Sequence, residues 1–172
     1  MNCNVNLMRE GEAVAAEPYE YKECGLEGIF LHNGYDIIEH EGERFVSVVD
    51  TESLHRSIGE FLVVQKKELA PNEVRFLRKT MDLTQSELGR WMGKDSQTVA
   101  RWEKGQTDIP TVADRLLRAI FLLRTMAPEE RENFLDILKD IEDMDDLTPR
   151  RVEMYLNRDG NWHDGLRRHA TA

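Results

Sequence analysis

Residues 83–105 read LTQSELGRWMGKDSQTVARWEKG, and the fold turns on how that stretch is parsed. Thr84 and Glu87 stand three apart. A cap hydroxyl and a third-position carboxylate at that spacing each satisfy a backbone N–H that the first helical turn leaves free, so a helix is predicted from Gln85. Leu88, Trp91 and Met92 give that helix an apolar side and are expected to face inward. Gly93 can adopt the left-handed conformation that ends a helix. Only Lys94 and Asp95 follow before a second pattern begins, with Asp95 as its cap, Val99 and Trp102 as its inward positions and Gly105 as its stop. Two short helices joined by a tight glycine turn make a helix-turn-helix.

Working outward, Pro71 suits a first helical position, where its missing N–H is no loss. With Ala70 as cap, Leu69 and Val74 fall at the positions of a hydrophobic staple, so a helix is expected to run to Thr80. Leu54, Ile58, Phe61 and Leu62 recur at helical spacing over 51–67, and Asp50 can cap that segment. Val112, Leu116, Ala119, Ile120 and Leu123 predict a helix over 111–125. A further helix is expected over 128–145, with Phe134, Leu135, Ile137, Leu138, Ile141 and Met144 on one face and acids on the other. Thr148-Pro149 restarts a short helix through Val152, Tyr155 and Leu156. Before the helices, Asn33-Gly34 favours a tight hairpin turn. With Glu41-Gly42 it predicts a meander of three strands over 28–49. The fold class expected is therefore mainly α: a five-helix helix-turn-helix domain, a small N-terminal β-meander and C-terminal helices. The expected divisions are 1–20, a loose N-terminus; 21–67, a hairpin and helix module; 68–126, the helix-turn-helix domain; 127–157, acidic helices; and 158–172, a tail.

The segment Pro71–Thr125 resembles the Cro and phage-repressor, or Xre, type of helix-turn-helix. Leu83, Thr84, Gln85, Glu87, Leu88, Gly93, Val99, Trp102, Glu103 and Gly105 carry the resemblance. Gly89 departs from it, since the family usually has alanine there. The resemblance implies that the second helix enters the major groove of operator DNA with its first residues against base edges. Ser96, Gln97, Thr98 and Arg101 would face outward, where glutamine can pair with adenine and arginine with guanine. Gln85 matches the family position that holds a backbone phosphate, and Lys94 and Lys104 can add phosphate contacts, which position without specifying.

Residues 21–67, with Cys24-Gly25 ahead of a hydrophobic hairpin, resemble a reduced form of the N-terminal module of MqsA-like antitoxins, in which a small zinc ribbon precedes the same kind of helix-turn-helix. A zinc ribbon needs four ligands. Cys24 has no Cys-x-x-Cys partner, and His32 and His40 are the only nearby candidates. No metal and no cofactor are expected. Asp36, Glu39, His40, Glu41 and Glu43 cluster in sequence, but strand alternation scatters them over two faces and a turn. No nucleophile elbow, phosphate loop or zinc-helix motif occurs, so no enzyme is expected.

The 172 residues carry 23 Lys+Arg and 33 Asp+Glu, a net charge of -10. The charge is unevenly spread: residues 1–60 hold 4 bases and 13 acids, 61–126 hold 12 and 8, and 127–172 hold 7 and 12. A basic middle between acidic flanks suits a phosphate-facing surface confined to that middle. No apolar run reaches the roughly 20 residues of a membrane span, and no secretory signal is visible. Cys3 and Cys24 cannot build a disulfide framework, so a reducing, cytoplasmic setting is expected. Together these readings point to a transcriptional regulator, a repressor acting on double-stranded operator DNA as a homodimer. Its leading form is an antitoxin-type autoregulator with a toxin partner. The alternatives are a phage or mobile-element repressor without a toxin, and a protein-interaction adaptor that has lost DNA readout.

Overall fold

The computed structural model describes residues 4–6, 17–40, 42–125 and 151–165. Among them are five helices and seven strands, the strands in two sheets. The fold is therefore mixed α/β and not mainly α. The chain forms two compact units, Met1–Ile58 with Arg150–Ala172, and Gly59–Pro149.

The first unit holds β1 (Asn4–Asn6), β2 (Tyr19–Glu20), β3 (Ile29–Leu31), β4 (Tyr35–His40), β5 (Glu43–Val48), the first half of α1 (Thr51–Gln65), β6 (Val152–Leu156) and β7 (Trp162–Asp164). One sheet runs in the order β1-β4-β5, the other β2-β3-β6-β7. The expected meander is only half present. β4 and β5 form the hairpin around Gly42, but β3 and β4 lie in different sheets. Asn33-Gly34 is a switch between sheets instead of a hairpin turn. The Asn33 side chain donates to the Leu156 carbonyl at 2.9 Å and accepts from the Leu156 N–H at 2.7 Å, tying this turn to β6. Gly34 has φ +72, and a Cβ there would lie 2.8 Å from the Trp162 ring, so both conformation and space require glycine.

Three further expectations differ in this unit. The segment through Val152, Tyr155 and Leu156 is a strand, not a helix, and the expected tail contains β7. Val152 and Met154 are buried at period two, and β6 pairs in parallel with β3. Such a contact joins residues more than a hundred positions apart, and nothing local announces it. The start of the chain, read as loose, contributes β1 to the first sheet. The expected helix over 128–145 lies outside the described residues. The core gathers Tyr21, Leu26, Ile29, Leu31, Leu54, Ile58, Met154 and Trp162.

The second unit holds the last part of α1, then α2 (Pro71–Thr80), α3 (Gln85–Met92), α4 (Ser96–Glu103) and α5 (Thr111–Thr125). Pro71 opens α2, and the Glu73 carboxylate accepts from the Ala70 N–H at 2.7 Å. Leu69 and Val74 are buried as the staple requires. In α5 the buried side is rotated from the expected one. Ala113, Asp114, Leu117, Arg118, Phe121 and Leu122 face inward, while Val112, Leu116 and Leu123 are exposed, Val112 by 80%. A shift of one residue turns a helix face by about 100°. Arg118 on this side is fully buried. Its guanidinium donates to the carbonyls of Val63 at 2.8 Å, Lys66 at 2.7 Å and Lys67 at 3.1 Å, and pairs with the Asp114 carboxylate. These carbonyls lie at and just past the end of α1, where a helix leaves carbonyls without an intrahelical donor.

Candidate nucleic-acid interface

The site is built on α3, the turn 93–95 and α4. Thr84 Oγ1 accepts from the Glu87 N–H at 3.2 Å, and Glu87 Oε2 accepts from the Thr84 N–H at 2.8 Å. The bonds from Thr84 hold the Glu87 carboxyl below its ordinary range. Gly93 closes α3 with φ 65 and ψ 32. The Lys94 N–H then bonds the Gly89 carbonyl at 2.8 Å. A Cβ on Gly89 would sit 2.7 Å from the Lys94 carbonyl oxygen, so the glycine lets the turn fold back against α3. Asp95 Oδ1 accepts from the Thr98 N–H at 2.6 Å, which starts α4 and holds the Asp95 carboxyl below its ordinary range.

Val99 and Trp102 are buried and fix the inner side of α4. Ser96, Gln97, Arg101, Lys94 and Lys104 are exposed, and Thr98 is half-buried. At about 100° per residue, Gln97, Arg101 and Lys104 fall within about 60° of one another, opposite Val99. α4 therefore presents an amide, a guanidinium and an ammonium along one solvent face. Thr98 stands at its border, and Ser96 opens the first turn, whose Thr98 N–H is already taken by the Asp95 cap.

Gln85 is held from behind. Its Nε2 donates to Glu103 Oε2 at 2.8 Å. Glu103 is also the partner of Arg78, whose Nε donates to Oε1 at 2.5 Å and whose Nη2 donates to Oε2 at 3.0 Å. Arg78 Nη1 caps the Leu83 carbonyl at 2.7 Å. This network links α2, α3 and α4 and orients the Gln85 amide, leaving one of its two amide hydrogens for a further acceptor. The sequence reading missed Arg78, since its partners lie 5, 18 and 25 residues from one another or from it. Trp91 departs from expectation: it is 47% exposed, with the Arg124 guanidinium 5.2 Å from its ring centre. Leu88 and Met92, four apart, take the inward line of α3, and Trp91 falls at its border.

The residues weighed for zinc are not brought together. Cys24 Sγ donates to the Tyr21 carbonyl at 3.6 Å, and burial pushes its thiol up. His32 pairs with Glu153 and stacks on Tyr155 at 4.3 Å, and His40 lies exposed on β4. Among the described residues no group of three or more His, Cys, Asp or Glu is placed to hold a metal ion, and no helix is long and apolar enough to cross a membrane. Comparison with protein-family models, curated proteins and solved structures finds no match to this chain.

Proposed function

We propose that this chain is a sequence-specific, DNA-binding transcriptional repressor that acts in the cytoplasm as a homodimer and performs no catalysis. The observation that carries the reading is the exposed face of α4, where Gln97, Arg101 and Lys104 align over a buried Val99 and Trp102. α4 would lie in the major groove, with Gln97 and Arg101 at base edges. Ser96 and Thr98 would stand at the first turn, and Gln85, Lys94 and Lys104 would hold phosphates. The charge division supports this, since residues 61–126 hold 12 bases against 8 acids in a chain of net -10. The acidic flanks favour the antitoxin-type form, in which a basic toxin is the second partner and the regulator represses its own promoter. A phage-type repressor shares the DNA half of the reading.

The test is a fluorescence-anisotropy titration of the full chain against DNA from upstream of its own coding sequence. Arg101→Ala and Gln97→Ala should each weaken binding by about 1–3 kcal/mol while leaving the melting transition in place. Equal affinity for parent and Arg101→Ala would remove α4 as the reading element.

A further inference from the structure

Among the described residues β5 is the last strand of its sheet, and one row of its backbone groups has no strand partner there. Folded proteins ordinarily guard such an edge with lysine, proline or a bulge, because it is a template for another strand. β5 reads ERFVSV and pairs with β4 in an unbroken register: it has no lysine, proline or bulge, and its two charges, Glu43 and Arg44, sit together at its start and leave Phe45–Val48 unguarded. Phe45 lies directly opposite Ile38 of β4, and the two are 51% and 50% exposed. Alternation along the strands puts Asp36, Ile38 and His40 on one face with Ser47, Phe45 and Glu43. An apolar pair thus sits between carboxylates. Asp36 Oδ1 is out of solvent and has no hydrogen-bond donor among the described residues. Glu39, Asp50 and Glu52 add further negative charge along the hairpin and just beyond it, against Arg44 alone in 36–52.

We infer that β5 is a docking edge for a basic protein partner, which adds an extended segment beside Glu43–Val48. Backbone hydrogen bonds along the edge would supply affinity, and alternate side chains specificity. Aliphatic groups of the partner would cover Ile38 and Phe45, with lysine or arginine facing Asp36 and Glu43. Charge decides the occupant: a second copy of this chain would set two acidic hairpins side by side, whereas a basic strand meets opposite charge. The inference stands on the first unit alone and does not depend on DNA reading by α4.

The test uses the full chain and, as probe, a short synthetic peptide in which valine alternates with lysine and arginine. The expected result is binding that weakens as salt is raised, with slowed amide exchange across Glu43–Val48. Phe45→Lys and Ile38→Lys, both at exposed positions, should each weaken it by roughly tenfold or more while leaving the melting transition in place. A twin peptide carrying glutamate for its cations should not bind. The inference is overturned if the basic peptide does not bind, if the acidic twin binds equally, or if protection falls outside β5. It is also overturned by a sedimenting dimer that Phe45→Lys dissociates, which would assign the edge to a second copy.

Discussion

Glu103→Ala probes the network that joins α2, α3 and α4. Its carboxylate accepts three hydrogen bonds, from Arg78 Nε at 2.5 Å, Arg78 Nη2 at 3.0 Å and Gln85 Nε2 at 2.8 Å. The Arg78 and Glu103 side chains are 11% and 3% exposed, so solvent screens the pair little. Removing the carboxylate leaves a nearly buried guanidinium with the Leu83 carbonyl as its one remaining acceptor in this network. Stranding a buried charge in this way costs about 3–5 kcal/mol. That is a large share of the roughly 5–15 kcal/mol that holds an ordinary domain folded. Removing both charges, as Arg78→Met with Glu103→Leu, should cost far less than the single change, because no charge is left unpaired. Urea denaturation of the parent, Arg78→Met, Glu103→Leu and the double variant closes the cycle, with Glu103→Ala measured beside it. A loss under about 1 kcal/mol for Glu103→Ala, or a double variant equal to the sum of Arg78→Met and Glu103→Leu, would show that the buried pair does not couple these helices.

Gly59→Ala should destabilise although it replaces glycine inside a helix. Alanine gains about 1 kcal/mol of helix propensity, but its Cβ would sit 2.2 Å from Cζ of the buried Phe121. Overpacking of that kind costs roughly 1–3 kcal/mol, so a melting temperature above the parent's would contradict the packing described. His55 makes stability depend on pH. Burial lowers its pKa, and its Nε2 lies 2.9 Å from the Tyr21 hydroxyl. Below about pH 6.5 the unfolded chain takes up a proton at this position before the folded chain does, so this contribution is present above that pH and declines as pH falls toward the folded value. Denaturation midpoints measured from about pH 7.5 down to about pH 5 should fall more steeply for the parent than for His55→Gln. Parallel profiles would show that His55 is not the titrating group.

The helices of the second unit were legible because their signals are local. Thr84 with Glu87, Gly93, Asp95 and the pair Pro71 and Leu69 each act within a few residues of their partner. The face of α5 was not legible, because hydropathy sends Arg118 outward, whereas in the fold its guanidinium is bonded inward to carbonyls at the end of α1. β6 was misread because Val152, Tyr155 and Leu156 fit a helical spacing as well as a strand, and only the distant β3 chooses between them. In the candidate site, the outward residues of α4 and the glycine turn were readable. The tether of Gln85 to Glu103 was not, since it joins residues 18 apart through a side-chain network.

DNA reading by two copies of α4 together is open to a direct check. A hydroxyl-radical footprint of the full chain on DNA upstream of its own coding sequence, with protein-to-DNA stoichiometry and affinity followed across salt concentrations, tests it most directly. Two protected half-sites in inverted repeat are expected, with centres about 10 bp apart or a multiple of that, and two chains per site. With two or three phosphates neutralised per chain, the log–log salt slope should be about -4 to -5. A single protected half-site with one chain bound, or uniform cleavage at every protein concentration, would contradict it.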